Sequence, residues 1–359
     1  MGTELPEGNA VVYCQGAFNT PNGKTAHGLV RRSRRYRVMS VIDSRHAGGD
    51  AGEILDGRKK GIPVVADLGA ATAAAAAAGG ALTHFVVGLA PDGGRLPATG
   101  RAAVKEAIEA GLNVDSGLHD FISEDAELAE LAAGRGVTLR DVRKTPGREH
   151  LHAFSGEIEE VESFRIALLG TDSAVGKRTT AWALVDGLEA ADYPTELIGT
   201  GQTAWLQGAE YCIILDSLIN DFVAGELEHA IVRAWREKAP RALVIEGQGS
   251  LMNPAYPGGY EILAAGRPDV VVLQHAPARK EYDGFPGYPI EPLKTQIRAI
   301  ELISSKPVVA ITINHESLGP AEVAAAARKI KESTGLPAFD VLLDGPGELV
   351  DLLDSYLQP

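Results

Sequence analysis

The segment Gly170-Thr-Asp-Ser-Ala-Val-Gly-Lys177 combines glycines, hydroxyl side chains and a lysine, as a loop that holds phosphate groups requires. An apolar run at 164–169 precedes it as a strand would, and residues 178–184 follow with helical character. In such a loop, backbone N–H groups and the helix N-terminus attract anions, and Lys177 adds a mobile cation. The sequence therefore predicts a strand, a phosphate-binding loop (P-loop) and a helix, in that order. An ordinary glycine-containing turn is the alternative.

The loop departs from the usual P-loop pattern at two positions. Thr171 stands where the first glycine is expected, and Arg178 replaces the Ser or Thr that binds Mg²⁺. A magnesium-binding hydroxyl would therefore have to come from Thr179 or Thr180. The predicted binding residues for a phosphate-bearing cosubstrate are Gly170, Thr171, Asp172, Ser173, Ala174, Val175, Gly176, Lys177, Arg178, Thr179 and Thr180.

Polar residues follow several further predicted strands, at the edge where parallel sheets place ligands. Glu246 ends an apolar run and precedes Gly-Gln-Gly, which predicts a metal-binding or catalytic carboxylate, with a structural cap as the alternative. His275 follows another run and is a candidate general base or a hydrogen-bonded structural histidine. Candidate substrate-binding residues are Thr200, Gly201, Gln202, Thr203, Arg279, Lys280, Lys24 and His119. For the segment from Gly199 to Thr203, a plain turn is the alternative. Asp43 ends a strand, where it could bind a ribose or cap the next turn.

Composition narrows the class of protein. The chain has 359 residues, 45% hydrophobic and 23% charged, which favours a globular enzyme of two domains. A formal net charge of −14 disfavours nucleic acid and anionic membranes as partners. Two cysteines in apolar runs and the lack of a signal peptide or a membrane-length apolar run predict a cytoplasmic location. The basic segment Arg31-Arg-Ser-Arg-Arg-Tyr-Arg37 is expected to be a solvated helix end.

Short apolar runs alternate with helical segments, which predicts an α/β protein with two parallel-sheet domains. The predicted domains are 1–145 (Rossmann-like), a linker region at 146–163, and 164–359 (P-loop NTPase-like). The predicted strands are 10–15, 36–42, 63–66, 84–88, 112–115, 137–142, 164–169, 195–198, 212–215, 242–245, 270–273 and 308–313. The two distant cysteines and scattered histidines give no zinc-ligand spacing.

The P-loop resembles that of dethiobiotin synthetase, which carries Gly-Thr-Asp-Thr-x-Val-Gly-Lys-Thr and a similar Glu-Gly-Ala-Gly motif. This resemblance implies that Asn314, after the strand at 308–313, reads an adenine base. It also implies an enzyme that activates a carboxylate with ATP and Mg²⁺, with Thr179 or Thr180 and Glu246 on the metal.

Over its whole length the chain resembles a bacterial and archaeal family with a Rossmann-like N-terminal domain and a P-loop C-terminal domain. The matching motifs are Lys24-Thr-Ala-His-Gly28, Val41-Ile-Asp-Ser44, Gly93-Gly-Arg-Leu-Pro97, Ser116-Gly-Leu-His-Asp-Phe121, Asp141-Val-Arg-Lys144, the P-loop, Gly199-Thr-Gly-Gln-Thr203, Asp221-Phe222 and Glu246-Gly-Gln-Gly249. The characterised members are D-glutamate N-acetyltransferases.

That resemblance implies transfer of an acetyl group from acetyl-CoA to D-glutamate or a related acidic D-amino acid. Glu246 or His275 would then be the base, and Lys177 would assist the reacting oxygen. The alternatives are the ATP-dependent ligase or kinase and a non-catalytic, nucleotide-gated interaction protein. We expect a small-molecule substrate and a symmetric homo-oligomer.

Overall fold

The computed structural model describes residues 5–358, except for the side chain of Asp92. The strands are β1 Gly8–Tyr13, β2 Tyr36–Ile42, β3 Val64–Val65, β4 His84–Val87, β5 Asn113–Ser116, β6 Leu139–Asp141, β7 Phe164–Gly170, β8 Thr195–Gly199, β9 Tyr211–Cys212, β10 Ala242–Glu246, β11 Val270–His275, β12 Val308–Ile313 and β13 Ala338–Phe339. The helices are α1 Lys24–Arg31, α2 Ala51–Asp56, α3 Leu68–Ala77, α4 Ala98–Glu109, α5 Ala126–Arg135, α6 Lys177–Ala190, α7 Gln202–Gln207, α8 Asn220–Lys238, α9 Tyr260–Ala264, α10 Leu293–Ser304, α11 Pro320–Thr334 and α12 Gly347–Leu357.

Strands and helices alternate, and they build two parallel sheets. The first sheet has the order β3-β2-β1-β4-β5-β6, which is the order of doubly wound Rossmann-like folds. The second has the order β13-β12-β11-β7-β10-β8-β9, so β7 lies centrally between β11 and β10. The predicted fold class, α/β with two parallel-sheet domains, is confirmed.

The chain divides into two compact units. The first unit contains the described residues up to Thr145 together with Gln202–Ala209, and the second contains Pro146–Gly201 and the rest of the chain from Glu210. Helix α7 therefore belongs to the first unit, although it follows β8 in the chain. The sequence gives no signal for this assignment.

Helix α7 packs against α1 and its C-terminal turn through polar as well as apolar groups. The side-chain amide of Gln207 donates to the carbonyl oxygens of Gly28 and Arg32, at 2.8 and 3.0 Å. The Arg35 guanidinium lies 3.7 Å from the centre of the Trp205 ring and also pairs with Glu7. Arg35 is only 6% exposed, so the expectation that the basic segment is a solvated helix end was wrong at this residue. Its charge is compensated by Glu7 and the ring instead.

The predicted linker region is part of the second unit, where one buried carboxylate binds its backbone. Glu228 on α8 accepts hydrogen bonds from the backbone N–H groups of Ser155, Gly156 and Ile158, and from the Ser155 hydroxyl. Burial raises the pKa of Glu228, but these donors outweigh that effect and bring it below its ordinary value.

The predicted strand at 212–215 was wrong in extent. The strand is the edge pair Tyr211–Cys212, and Leu215–Ser217 forms a single 3₁₀ turn closed by a bond from Ser217 N to Ile214 O. In the part of the chain that the structure describes, no helix is both long and apolar enough to span a membrane.

Candidate active site

The P-loop leaves β7 at Gly170 and enters α6 at Lys177, in the predicted strand–loop–helix order. Gly176 has φ +98° at the helix N-cap, which is a conformation that favours glycine. A Cβ at Gly170 would lie 2.8 Å from Cδ and 2.9 Å from Nζ of Lys177. A Cβ at position 170 would therefore require the lysine side chain to move from its place over the end of the strand.

Lys177 is buried at the centre of the loop. Its ammonium donates to the carbonyl oxygens of Asp172 and Gly249, both at 2.8 Å. Burial lowers the pKa of Lys177 to about 8, although the charges of Asp172 and Glu246 act in the opposite direction. The lysine therefore holds a proton at neutral pH but releases it more readily than an exposed lysine does.

Asp172 is the most heavily bonded side chain of the loop, and it is fully buried. One carboxylate oxygen accepts from Ser173 N and from Nδ2 of Asn253, both at 2.7 Å. The other accepts from Nη1 of Arg279 and from Asp283 N, both at 2.8 Å. This single carboxylate therefore connects the P-loop to the segments that follow β10 and β11.

Arg279 bridges two carboxylates. Besides Asp172, it binds Glu316 through a two-pronged pair of bonds, each 2.8 Å long. Burial would lower the pKa of Arg279, but Glu316 and Asp172 raise it above its ordinary value. The sequence predicted Arg279 and Lys280 as substrate-binding cations. Arg279 is engaged within the protein, whereas Lys280 is exposed and donates to the Pro277 carbonyl oxygen at 3.2 Å.

Glu246 ends β10 and is 4% exposed. Burial raises its pKa, and the charge of Arg178, the N–H of Thr200 and the charge of Lys177 act against that rise. Thr200 N donates to its Oε2 at 3.0 Å, and the Thr200 hydroxyl donates to its backbone oxygen at 2.9 Å. Glu246 therefore lies in a buried, cation-bearing environment at the sheet edge, with β8 as its neighbour.

His275 ends β11 on the other side of the loop. Its Nδ1 lies 3.0 Å from the Thr171 hydroxyl. Burial lowers the pKa of His275 to about 4, and the charges of Lys280 and Arg279 add to this effect. Its ring is therefore neutral at physiological pH.

The neighbouring strand ends complete the surroundings of the loop. The Gln274 amide oxygen accepts from the hydroxyls of Thr180 and Thr312 at 2.7 and 2.6 Å. The side-chain oxygen of Asn314, the predicted adenine-reading residue, accepts from Glu316 N at 3.0 Å. A Cβ at Gly176 would lie 3.8 Å from Asn314 Nδ2, which places that amide group beside the P-loop.

Several predicted site residues belong to the first unit. The Thr203 hydroxyl lies 3.1 Å from that of Thr25, and both side chains are buried. Gln202 packs on Gly117, while Lys24 and His119 are exposed. Their roles in substrate binding stay predictions. For Asp43, the capping alternative is confirmed: it accepts from the N–H groups of Gly16, Phe18 and Arg45.

A metal-binding role of Thr179 and Glu246 was predicted only for an enzyme that uses Mg-ATP. Among residues 5–358, the side chains that the structure describes include no group of three or more His, Cys, Asp or Glu placed to hold a metal ion.

Gly201, another predicted substrate-binding residue, precedes α7 in the chain, and its carbonyl oxygen lies 3.6 Å from the Cys212 sulfur.

The fold and the site define a two-unit α/β protein with a Rossmann-like sheet and a P-loop sheet. Residues 44–145 match the Rossmann-like domain, and residues 152–350 the P-loop domain, of a family described as a domain of unknown function, DUF1611. The P-loop match spans more than half of the chain. This protein belongs to the DUF1611 family.

Three similar proteins extend the comparison. A D-glutamate N-acetyltransferase from Tritonibacter scottomollicae is 32% identical, over 77% of this chain and 83% of its own. A protein of the same name from a Pseudoalteromonas species is 30% identical, over 74% and 80%. The crystal structure of a DUF1611 family protein from Anabaena variabilis has a TM-score of 0.87 and 29% identity, and covers 97% of this chain and 99% of that one.

The buried Asp172 carboxylate predicts a stability difference between the two partners of Arg279. Asp172→Asn places an amide NH₂ against two donors and removes a buried counter-ion, so it should lower the free energy of unfolding by about 2–4 kcal/mol. Glu316→Gln changes the partner whose side chain is 37% exposed and should cost less than about 1 kcal/mol. Urea unfolding followed by tryptophan fluorescence measures both. Equal losses would contradict the bracing role of Asp172.

Proposed function

We propose that this protein transfers the acetyl group of acetyl-CoA to the amine of an acidic D-amino acid, with D-glutamate as the first candidate. Two relatives named D-glutamate N-acetyltransferase, at 30–32% identity over most of the chain, support an N-acetyltransferase. The structural observation that carries the proposal is the position of Glu246, which is buried at the end of β10 and pairs with Leu168 of the P-loop strand β7. Burial there raises its pKa.

The P-loop suits the phosphate groups of coenzyme A. That molecule carries a diphosphate and a 3′-phosphate, and the N-terminus of α6 with Lys177 offers N–H groups and a positive charge to such groups. Binding of this kind requires no hydrolysis. Asn314, beside the loop, is the residue that we assign to the adenine base.

Glu246 is the better base of the two candidates. An amino-acid ammonium must lose a proton before its nitrogen attacks a thioester, and efficient bases have pKa values near the working pH. Burial moves Glu246 toward that range. It moves His275 away, to a pKa of about 4, so the imidazole holds a proton too weakly. His275 instead orients the Thr171 hydroxyl.

Arg178 is the cation that we assign to a substrate carboxylate. Arg178 follows Lys177 directly in the loop, and its charge acts on the pKa of Glu246 more strongly than that of Lys177. A carboxylate held there would place the amine of the same amino acid beside the base. Exposed Lys280 is a second candidate cation, whereas Arg279 already holds two carboxylates.

In the proposed reaction, Glu246 takes a proton from the substrate ammonium, and the freed nitrogen forms a bond to the acetyl carbon. As the thioester C–S bond breaks, the nitrogen loses its second proton, and the sulfur leaves as a thiolate that takes up that proton. Lys177 stabilises negative charge on the phosphates or on the reacting oxygen. The products are an N-acetyl amino acid and coenzyme A.

A paired assay tests the reaction class. We expect thiol release from acetyl-CoA that depends on D-glutamate, is weaker with L-glutamate, and needs neither ATP nor added metal. Phosphate release from ATP and Mg²⁺ is followed in parallel with the same amino acids. Substrate-dependent phosphate release with acetyl-CoA inert would replace the proposal with an ATP-dependent, carboxylate-activating enzyme. Binding of either ligand without turnover would indicate a non-catalytic, nucleotide-gated protein.

Glu246→Gln tests the base. The amide retains the shape but takes up no proton, so kcat should fall by about 10²–10⁴-fold while acetyl-CoA affinity is retained. In the wild type, kcat/KM should fall as the pH drops through the pKa of Glu246, at a higher pH than for an ordinary glutamate. His275→Asn is the matched variant. A larger loss in His275→Asn than in Glu246→Gln would assign the base to His275.

The lowered pKa of Lys177 predicts that acetyl-CoA binding is coupled to proton uptake above pH 8. Phosphate groups favour the charged lysine, so affinity should weaken by about 30-fold between pH 7 and 9.5 if the bound lysine stays protonated. Calorimetry in buffers of different ionisation enthalpy measures the protons taken up. Lys177→Arg keeps its charge and should remove this dependence. An equal pH dependence in that variant would place the titrating group elsewhere.

A further inference from the structure

Three aromatic rings form an exposed cluster in the second unit, on the two segments that follow β10 and β11. Tyr256 and Tyr288 are each 55% exposed, and Phe285 is half-buried between them. The centre of the Phe285 ring lies 6.3 Å from those of both tyrosines, in edge-to-face contacts. We call these three residues the aromatic cluster. Grouped aromatic rings that face solvent are typical of a binding surface.

The segment that carries Tyr256 is tied to the P-loop. Tyr256 O accepts from Ser250 N at 3.1 Å, and a Cβ at Gly249 would lie only 2.0 Å from that same oxygen. The neighbouring carbonyl of Gly249 is an acceptor of Lys177, and Asn253 of this segment donates to Asp172. Tyr256 is therefore a few residues from two direct contacts with the phosphate loop.

The segment that carries Phe285 and Tyr288 is tied to the same loop. Asp283 N donates to Asp172, and the Ser173 hydroxyl donates to the Asp283 carboxylate at 3.2 Å. Bonds from Tyr282 N to Tyr288 O and from Ile290 N to Lys280 O, each 2.9 Å, close the segment on itself. The exposed rings are thus held on braced backbone next to the P-loop.

We propose that the aromatic cluster binds the pantetheine arm of acyl-coenzyme A, an inference that rests on the proposed function. The order of strands supports this occupant. Asn314, assigned to the adenine, follows β12, while the P-loop follows β7 and Glu246 follows β10. Coenzyme A with its base at the β12 end, its phosphates at β7 and its acyl group at Glu246 runs its arm from β7 to β10, beside the segment after β10 that carries Tyr256. Phe285 and Tyr288, on the segment after β11, join that ring in the aromatic cluster.

The chemistry of the arm matches the rings. Pantetheine carries a dimethyl group and methylene chains, which gain from burial against aromatic faces, and two amides that tyrosine hydroxyls can bond. The arm has no charge, and none of the three cluster side chains is charged. The P-loop would then bind the phosphates, and the cluster would contribute affinity for the part of the cosubstrate that leads to the thioester.

Comparing the affinities of two ligands separates the contribution of the arm from that of the head group. Calorimetry compares coenzyme A with 3′-phosphoadenosine 5′-diphosphate, which has the same phosphates and base but no arm. In a Tyr256→Ala/Tyr288→Ala double variant, we expect coenzyme A to bind about tenfold more weakly and the head group to bind as in the wild type. Tyr256→Phe/Tyr288→Phe should recover most of the loss, because the rings remain.

A matched control is Tyr356→Ala, which removes a 41% exposed tyrosine on α12 that stacks on Phe164. It should leave both affinities unchanged. Equal weakening of both ligands in the double variant would assign the cluster to the base or to the shape of the P-loop and overturn the proposal. Unchanged coenzyme A affinity would also overturn it. If the wild-type protein binds coenzyme A no more tightly than the head group, the pantetheine subsite is refuted and the proposed function is not. If it binds neither ligand, the proposed function is refuted.

Discussion

The structure around the P-loop depends on one constraint, the need to compensate a buried negative charge within the loop. Asp172 is fully buried, and an unpaired carboxylate there would be strongly unfavourable. Four donors from three segments satisfy it, including Arg279. The loop, the segment after β10 and the segment after β11 are consequently held together by a single side chain.

The arginine in this arrangement also has a second partner. Glu316 occupies the other side of the Arg279 guanidinium, so two carboxylates share one cation and the triad carries a net negative charge. Burial and the charges of Arg279 and Arg178 disfavour a protonated Lys177, while the charges of Asp172 and Glu246 favour it. The lysine is therefore held between two opposing effects, and a bound phosphate would add to the side that favours the proton.

Much of the fold could be predicted from the sequence, because buried parallel strands are continuous apolar runs between helical segments. Most predicted strands overlap observed ones. The two-residue strand β13 was missed, since Ala338–Phe339 is too short to give a pattern. The place of α7 in the first unit could not be predicted either. It depends on contacts such as Gln207 with Gly28, which lie 179 residues apart in the chain.

The site could be predicted in part for a similar reason. Glycine spacing and strand ends indicate the P-loop, Glu246 and His275, because these signals are local. The engagement of Arg279 with Asp172 and Glu316 is not local, as Asp172 is 107 residues away. The sequence predicted Arg279 as a cation for a substrate carboxylate, and in the structure it binds the carboxylates of Asp172 and Glu316. The aromatic cluster was missed because its rings come from two irregular segments without periodicity.

Burial acts on the two central ionisable groups of the site in opposite directions. It raises the pKa of Glu246 and lowers that of Lys177 to about 8, because both charged forms lose solvation. If Glu246 acts as a base and Lys177 as a cation, activity requires a deprotonated glutamate and a protonated lysine. The pH range in which Glu246 is deprotonated and Lys177 is protonated is then narrower than for the same groups in water. Phosphate binding extends this range toward alkaline pH, because a phosphate favours the charged lysine. Binding of a cosubstrate that carries phosphate groups would thus keep Lys177 protonated at a pH at which Glu246 is deprotonated.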